Sequence, residues 1–129
     1  PTIVVPENSA APINSIMTLA LDMKPISDEI FERIQFFKED LELDLDFVTV
    51  NNKVKEKQEH FELPFDHAEI NFIQNDDIEL GLKEYLEKKN PAILAVINRK
   101  KTFFKSLFHK SISRSAVMHF TTPMLILQD

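Results

Sequence analysis

Two stretches of the chain carry side chains that could do chemistry. Asp22, two residues before Lys24, ends an apolar run and could act as a general acid, although an Asp at the carboxyl end of a strand caps a loop equally well. The stretch 99–114 holds six Lys or Arg and no acid. Lysine binds phosphate as a point charge, so this stretch could hold an anion. A solvated basic loop that balances an acidic body explains the same charges.

The sequence predicts neither a catalytic centre nor a metal site. It has no cysteine, which excludes disulfides and thiolate zinc sites. The histidines lack the i, i+4 spacing of helical metal ligands; they are His60, His67, His109 and His119. No Gly-x-Ser-x-Gly motif surrounds a serine. We therefore expect a non-enzymatic protein.

The composition is typical of one soluble globular domain. The 129 residues can bury a sizeable core, and 43% of them are hydrophobic and 28% charged. The apolar runs are too short to span a membrane, and the first residues lack the pattern of a signal peptide, so we expect a cytoplasmic protein. Residues 1–90 carry 9 Lys or Arg against 20 Asp or Glu, and this acidic body disfavours nucleic-acid binding.

Glycine is almost absent, which bears on phosphate binding. The single glycine, Gly81, lies within a helical pattern and not in a loop. A backbone that wraps closely around phosphates needs glycine, so such a loop is disfavoured here. The basic stretch has apolar side chains on one helical face instead; they are Phe103, Phe104, Leu107 and Phe108. We interpret this face as filling a cleft in its own domain, and contact with a membrane or partner is the alternative.

Alternating strand and helix patterns predict how these residues are positioned. Helices are predicted at 26–41, with Ser27 as N-cap, and at about 76–89, with Asp76 and Glu79 as a capping box. Their inward stripes are Ile30, Ile34, Phe37 and Leu41, then Ile78, Leu82, Tyr85 and Leu86. Strands are predicted at 2–5, 15–23, 45–50, 68–74, 92–97 and 124–127, and a last helix at about 111–119. This order predicts a three-layer α/β domain with a parallel sheet.

The last third of the chain has a distinctive order of features. An apolar run to Ile97 leads through the basic stretch to a helix from Ser111, and Pro123 then precedes the apolar strand 124–127. In this order, and in Asp22 after the first long strand, the chain from residue 15 onward resembles the universal stress protein family. The resemblance implies a Rossmann-like or flavodoxin-like α/β/α fold with five mainly parallel strands in the order 3-2-1-4-5. It also implies that Asp22 and Ser111 match residues that contact a nucleotide in the family.

The chain departs from the family at the phosphate-binding loop. Members that bind ATP carry Gly-x2-Gly-x9-Gly-Ser/Thr there, and counting back from Ser111 places the three glycines at Ile97, Lys100 and Lys110. Side chains at these positions would intrude on the phosphates. The resemblance therefore implies a degenerate nucleotide site without a cofactor. The alternative is an ATP- or AMP-binding domain in which lysine side chains replace the glycine amides.

The two ends of the chain share a pattern that suggests a tandem protein. The segment PTIVV at 1–5 echoes PMLIL at 123–127. We expect residues 1–14 to be the terminal strand of a preceding domain plus a linker, and residues 15–129 to be the universal stress protein-like domain. Strand 124–127 is expected at a sheet edge, where strands invite pairing and where family members dimerise. The strand at 2–5 could pair with it, either within one chain or between two. We expect a stress-response domain that acts through a homodimer or a tandem-domain partner at this strand.

Overall fold

The computed structural model describes residues 2–5, 14–51, 63–65, 68–99 and 121–129. The strands in this part of the chain are β1 (Thr2–Val4), β2 (Ile16–Ala20), β3 (Asp44–Asn51), β4 (Ile70–Gln74), β5 (Ile93–Asn98) and β6 (Met124–Gln128). The helices are α1 (Asp28–Asp40) and α2 (Ile78–Lys89). The predicted helix at 111–119 and the apolar face at 103–108 lie outside the described residues. Neither α1 nor α2 is long and apolar enough to cross a membrane.

The strands form one mainly parallel sheet in the order β1-β6-β5-β2-β3-β4. The predicted α/β class is therefore confirmed. The described sheet has six strands, where the resemblance implied five, because β1 pairs antiparallel with β6. For the same reason the prediction that β6 lies at the edge of the sheet is wrong within this chain: β1 lies outside it. The other five strands pair in parallel.

Among the described residues, α2 packs on one face of the sheet and α1 on the other, so the buried parallel strands turn apolar side chains to both faces. Leu82 and Leu86 of α2 pack in one core with Val48 and Val96. Ile30 and Ile34 of α1 pack in the other core, which includes Leu19, Phe47, Ala95 and Ile97. The middle strands are therefore buried on both faces.

Helix α1 begins as the sequence predicts. The Ser27 hydroxyl accepts a hydrogen bond from the backbone N–H of Ile30 at 3.3 Å, and Asp28 and Glu29 lie in the first turn, where the helix dipole favours acids. The inward stripe ends earlier than predicted. Leu41 is the C-cap residue and is 47% exposed, because the helix ends one residue before it.

Helix α2 begins one residue later than the predicted capping box. Its N-cap is Asp77, and not Asp76: the Asp77 carboxylate accepts from the N–H of Leu80 at 3.1 Å. The Asn75 side chain accepts from the Asp77 N–H at 2.9 Å and so fixes the cap residue. Asn90 ends the helix in the left-handed region at φ 49°, a position that Asn tolerates well. The predicted apolar stripe of α2 does face the sheet.

Gly81 lies where α2 packs against Val50 of β3 and Asn75. A Cβ atom at this position would lie 2.7 Å from Cγ1 of Val50 and 3.0 Å from Cβ of Asn75. Both distances are shorter than ordinary carbon contacts. The single glycine of the sequence therefore allows the helix to pack against β3.

Candidate functional site at the carboxyl ends of the strands

The sheet has one place where a ligand would be expected. The chain continues from β2 to β3 on one side and from β5 to β6 on the other, so the strand order reverses between β2 and β5. In open α/β folds, ligands bind in the crevice at the carboxyl ends of such a pair of strands. Here β2 is followed by Asp22, and β5 by Arg99. These two residues meet in the crevice.

Arg99 is held by two other segments of the chain, the loop after β2 and the residue after β6. Its Nη1 donates to Oδ1 and Oδ2 of Asp22 at 2.9 and 3.2 Å, and its Nε donates to Oδ2 of Asp129 at 3.1 Å. Its Nη2 donates to the carbonyl oxygen of Pro25 at 2.7 Å. We call Arg99, Asp22, Asp129 and the Pro25 carbonyl the Arg99 cluster. The cluster joins the segments that follow β2, β5 and β6.

The Arg99 cluster is largely shielded from water. The side chains of Arg99 and Asp22 are 9% and 5% exposed, whereas that of Asp129 is 36% exposed. Hydrogen bonds between ionised groups are shorter and stronger than neutral ones, and a buried pair is costly to break because one charge is left uncompensated. The Arg99 side chain therefore lies buried between the ends of β2 and β5 and compensates the charge of Asp22.

The loop that carries Asp22 also holds this carboxylate in place through its own backbone. Oδ1 of Asp22 also accepts from the backbone N–H of Lys24 at 3.2 Å, as in an Asx turn. Between them, Met23 has a φ of 62°, in the left-handed region that side chains other than glycine seldom adopt. The carboxylate is thus fixed both by its own loop and by Arg99.

The structure describes two of the five residues that the sequence singled out for this site. Asp22 lies at the end of β2, and its carboxylate binds Arg99. Ile97 is 4% exposed, and its side chain packs in the core beneath α1. Lys100, Lys110 and Ser111 lie outside the described residues.

Sequence reasoning missed Arg99 and Asp129 as partners of Asp22. A signal was present: Arg99 is the first cation after β5, and Asp129 is the single acid between 91 and 129. Because the carboxyl ends of parallel strands meet at one edge of a sheet, oppositely charged residues there are expected to pair.

A second polar cluster lies at the opposite end of the sheet, near the start of β3. Oδ2 of Asp46 accepts from the hydroxyl of Thr18 at 2.8 Å and from that of Tyr85 at 2.6 Å. Its Oδ1 accepts from the side-chain amide of Asn71 at 3.2 Å, and Nζ of Lys89 lies 3.7 Å away. We call these five residues the Asp46 network. Burial, together with the hydrogen bond to Asp46 and the charge of Asp46, raises the pKa of the Tyr85 phenol, so Tyr85 remains a donor.

A groove of about 690 Å³ opens beside the Asp46 network, lined mainly by α1, the start of β3 and residues before and in β4. One wall is aromatic: the ring centroid of Phe65 lies 5.0 Å from that of Phe31 and 5.4 Å from that of Phe47. Lys38 and Lys89 are among its polar lining residues. The described part of the chain contains no group of three or more His, Asp or Glu arranged to hold a metal ion.

Comparison with known proteins identifies the fold. No protein-family profile matches this chain, and no curated protein matches it in sequence. Among solved structures, it is similar to the crystal structure of a universal stress protein from Archaeoglobus fulgidus DSM 4304, with a TM-score of 0.58 and 13% identity. The chain has a universal stress protein-like fold. The match covers 88% of this chain and 44% of that chain, so this chain spans less than half the length of the universal stress protein.

Proposed function

We propose that this chain is a non-enzymatic regulatory domain of the universal stress protein type, which does not bind ATP and acts through association along β6. The observation that carries the proposal is the Arg99 guanidinium in the crevice, bound to both oxygens of Asp22. A stress-response role in the cytoplasm is the corresponding expectation, drawn from the resemblance of the sequence and supported by the fold.

The geometry of the Arg99 cluster argues against nucleotide binding. By resemblance, Asp22 is the acid that would contact a nucleotide, yet its carboxylate is 5% exposed and already paired. A nucleotide would have to displace Arg99, and hydrogen bonds to charged groups contribute about 1.5–3 kcal/mol each. By the resemblance, Lys100 and Lys110 stand at glycine positions of the family and also disfavour a phosphate-binding backbone, whereas the Ile97 side chain packs in the core. We infer that no cofactor occupies this site.

The pairing of β1 with β6 supports association. Thr2, Ile3 and Val4 pair with Ile126, Leu125 and Met124, so the middle residue of PTIVV lies opposite the middle residue of PMLIL. Two copies of one strand related by a two-fold axis pair in this way.

This symmetry suits a tandem protein, in which residues 1–14 end a preceding domain and residues 15–129 form the second. It equally suits a homodimer, in which β6 of a second copy replaces β1. The main-chain groups of β6 that β1 engages are then the surface that the partner uses.

Titration calorimetry with ATP and Mg²⁺ tests the first part of the proposal. We expect no saturable heat up to about 1 mM ATP, a concentration at which a site worth about −4 kcal/mol would be half filled. Arg99→Gln is the informative variant, because it frees Asp22 and leaves Lys100 and Lys110 in place. Micromolar binding to the wild-type chain, lost in Asp22→Ala or Ser111→Ala, would instead establish the alternative function, an ATP- or AMP-binding domain that uses Lys100 and Lys110.

Analytical ultracentrifugation tests the second part. Proline placed at Ile3 or at Val4 should release β1, because alternate residues of an antiparallel strand donate to their neighbour and one of the two positions must be a donor. We expect the released β6 to pair with a second copy, so that the variant dimerises at micromolar concentration. Val5→Pro, just beyond β1, is the matched control. Variants that stay monomeric while β1 is detached would refute association along β6.

A further inference from the structure

We propose that Arg99 couples the crevice at the strand ends to β6, the strand that pairs with β1. Whether Asp22 binds Arg99 then controls how firmly the end of β6 is held against β1. The inference rests on the proposed function, since it concerns the edge through which the domain associates. Its motivation is that one guanidinium holds two acids that follow different strands, Asp22 after β2 and Asp129 after β6.

The two acids use different nitrogen atoms of Arg99. Nη1 donates to Asp22, whereas Nε donates to Asp129, so the two acids do not compete for one donor. The guanidinium lies in a plane, and fixing Nη1 on Asp22 and Nη2 on the Pro25 carbonyl also fixes the direction of Nε. Asp22 therefore positions the donor that Asp129 receives.

The burial of Arg99 means that losing its contact with Asp22 also weakens its contact with Asp129. The Arg99 side chain is 9% exposed, and a cation in that position needs a compensating charge. If Asp22 is neutralised or takes another partner, the guanidinium loses its most buried counter-ion. It is then better solvated outside the crevice, and in leaving it also releases Asp129. Loss of the pair between Asp22 and Arg99 therefore also loosens the end of β6.

The end of β6 has other anchors, which limit the size of the effect. Nη1 of Arg33 donates to the carbonyl oxygen of Gln128 at 3.3 Å, and Nδ2 of Asn98 donates to Oε1 of Gln128 at 3.0 Å. The Ser27 hydroxyl lies 3.4 Å from Oδ1 of Asp129. These contacts do not include Arg99, so release of Asp129 loosens the strand end without detaching β6 from β5.

The register of β1 against β6 predicts that the loosening is larger at one end of β1 than at the other. Thr2 pairs with Ile126, three residues from Asp129, whereas Val4 pairs with Met124 at the far end of the strand. Loosening that starts at Asp129 should therefore reach the Thr2 pair before the Val4 pair. A general loss of stability would instead affect both pairs equally.

Amide hydrogen exchange on the full chain tests the coupling. We compare the wild type with Asp22→Asn, Asp129→Asn and the double variant, each with Arg99 and again with Arg99→Lys. We expect Asp22→Asn to speed exchange near Ile126 about tenfold, equivalent to about 1.4 kcal/mol, with less change near Met124. Because both acids act through one side chain, the double variant should exchange little faster than Asp129→Asn alone.

The Arg99→Lys background decides whether the effect passes through the guanidinium. A lysine keeps the charge but cannot hold three partners in fixed directions, so the non-additivity between Asp22→Asn and Asp129→Asn should disappear. Arg33→Met is the matched control: it loosens Gln128 but should leave the response to Asp22→Asn intact.

Two results would overturn the inference. One is exchange near Ile126 that is unchanged or slower in Asp22→Asn while Asp129→Asn speeds it. The other is an additive double variant. Failure of the proposed function looks different, because saturable ATP binding or a permanently monomeric chain is measured by calorimetry or sedimentation on the wild type and the β1 variants. Exchange rates at β6 can obey or violate the coupling in either case.

Discussion

The two ends of the sheet compensate a shielded aspartate in different ways. At the carboxyl ends of the strands, Asp22 is paired with the full charge of Arg99, whose side chain is almost as buried as its own. At the amino end of β3, Asp46 receives hydrogen bonds from the neutral groups of Thr18, Tyr85 and Asn71, and a more exposed Lys89 contributes only at 3.7 Å. The first arrangement depends on one cation, and the second on several independent donors.

This difference predicts how each end fails. Removing Arg99 leaves a buried carboxylate with no counter-ion, whereas removing one donor of Asp46 leaves the others in place. The crevice should therefore respond sharply to a single change, and the Asp46 network gradually. The predictions below test that contrast, beginning with the largest expected effect.

Arg99→Met should lower the free energy of unfolding by about 3–5 kcal/mol, because Asp22 is left buried and unpaired. Urea denaturation followed by circular dichroism measures this value. The double variant Arg99→Met with Asp22→Leu should recover a large part of the loss, since both charges are then absent. If the double variant is no more stable than Arg99→Met, the uncompensated carboxylate is not the cause.

Tyr85→Phe should cost about 1.5–3 kcal/mol, the contribution typical of a hydrogen bond to a charged group. The change removes the 2.6 Å donor of Asp46 and keeps the ring in the core beneath α2. Thr18→Val, which removes the 2.8 Å donor to the same oxygen, is the matched comparison. A loss in either variant as large as that of Arg99→Met would remove the contrast between the two ends.

Alkaline pH should destabilise the protein through Tyr85. Its pKa is raised in the folded state above the ordinary value of 10.0, so the folded state retains the phenol proton after the unfolded state has lost it. This contribution is complete below pH 10 and falls as pH rises towards the folded pKa. Tyr85 is the single tyrosine, so tyrosinate absorbance reports on it alone. Titration near pH 10 in the folded protein would contradict the network.

Lys89→Met should have the smallest effect, below about 1 kcal/mol, because the Lys89 side chain is 39% exposed and its ammonium is screened by water. The loss should decrease further as salt is added. Chemical denaturation with urea at low and high sodium chloride measures both values. A salt-independent loss of several kcal/mol would mean that Lys89, and not the neutral donors, compensates Asp46.

Much of the fold could be predicted from local sequence because local physics determines it. Ser27 caps α1 through a contact three residues away, and the apolar spacing of α2 follows from the helical repeat. The strand at 2–5 was predicted from its own residues, but its pairing joins Thr2 to Ile126, across nearly the whole chain, and was suggested only by the similarity of the two segments. Hydrophobic periodicity identifies a strand but not its neighbour.

The polar clusters show the same limit more strongly. Asp22 was predicted to lie at a strand end, but its pairing with Arg99 depends on which strands are adjacent in the sheet. The Asp46 network joins residues from β2, β3, β4 and α2, and no spacing along the sequence indicates it. The sequence shows that Arg99 and Asp129 are charged, but their pairing follows only from which strands are adjacent in the sheet.

Gly81 determines how closely α2 can pack against β3. A Cβ at this position would lie 2.7 Å from Cγ1 of Val50, so any larger residue would have to displace Val50 or move the helix away from the sheet. Alanine improves helix propensity by about 1 kcal/mol, whereas overpacking costs about 1–3 kcal/mol. The chain therefore retains its glycine as a spacer between two layers, in a protein whose strand-end loops have none.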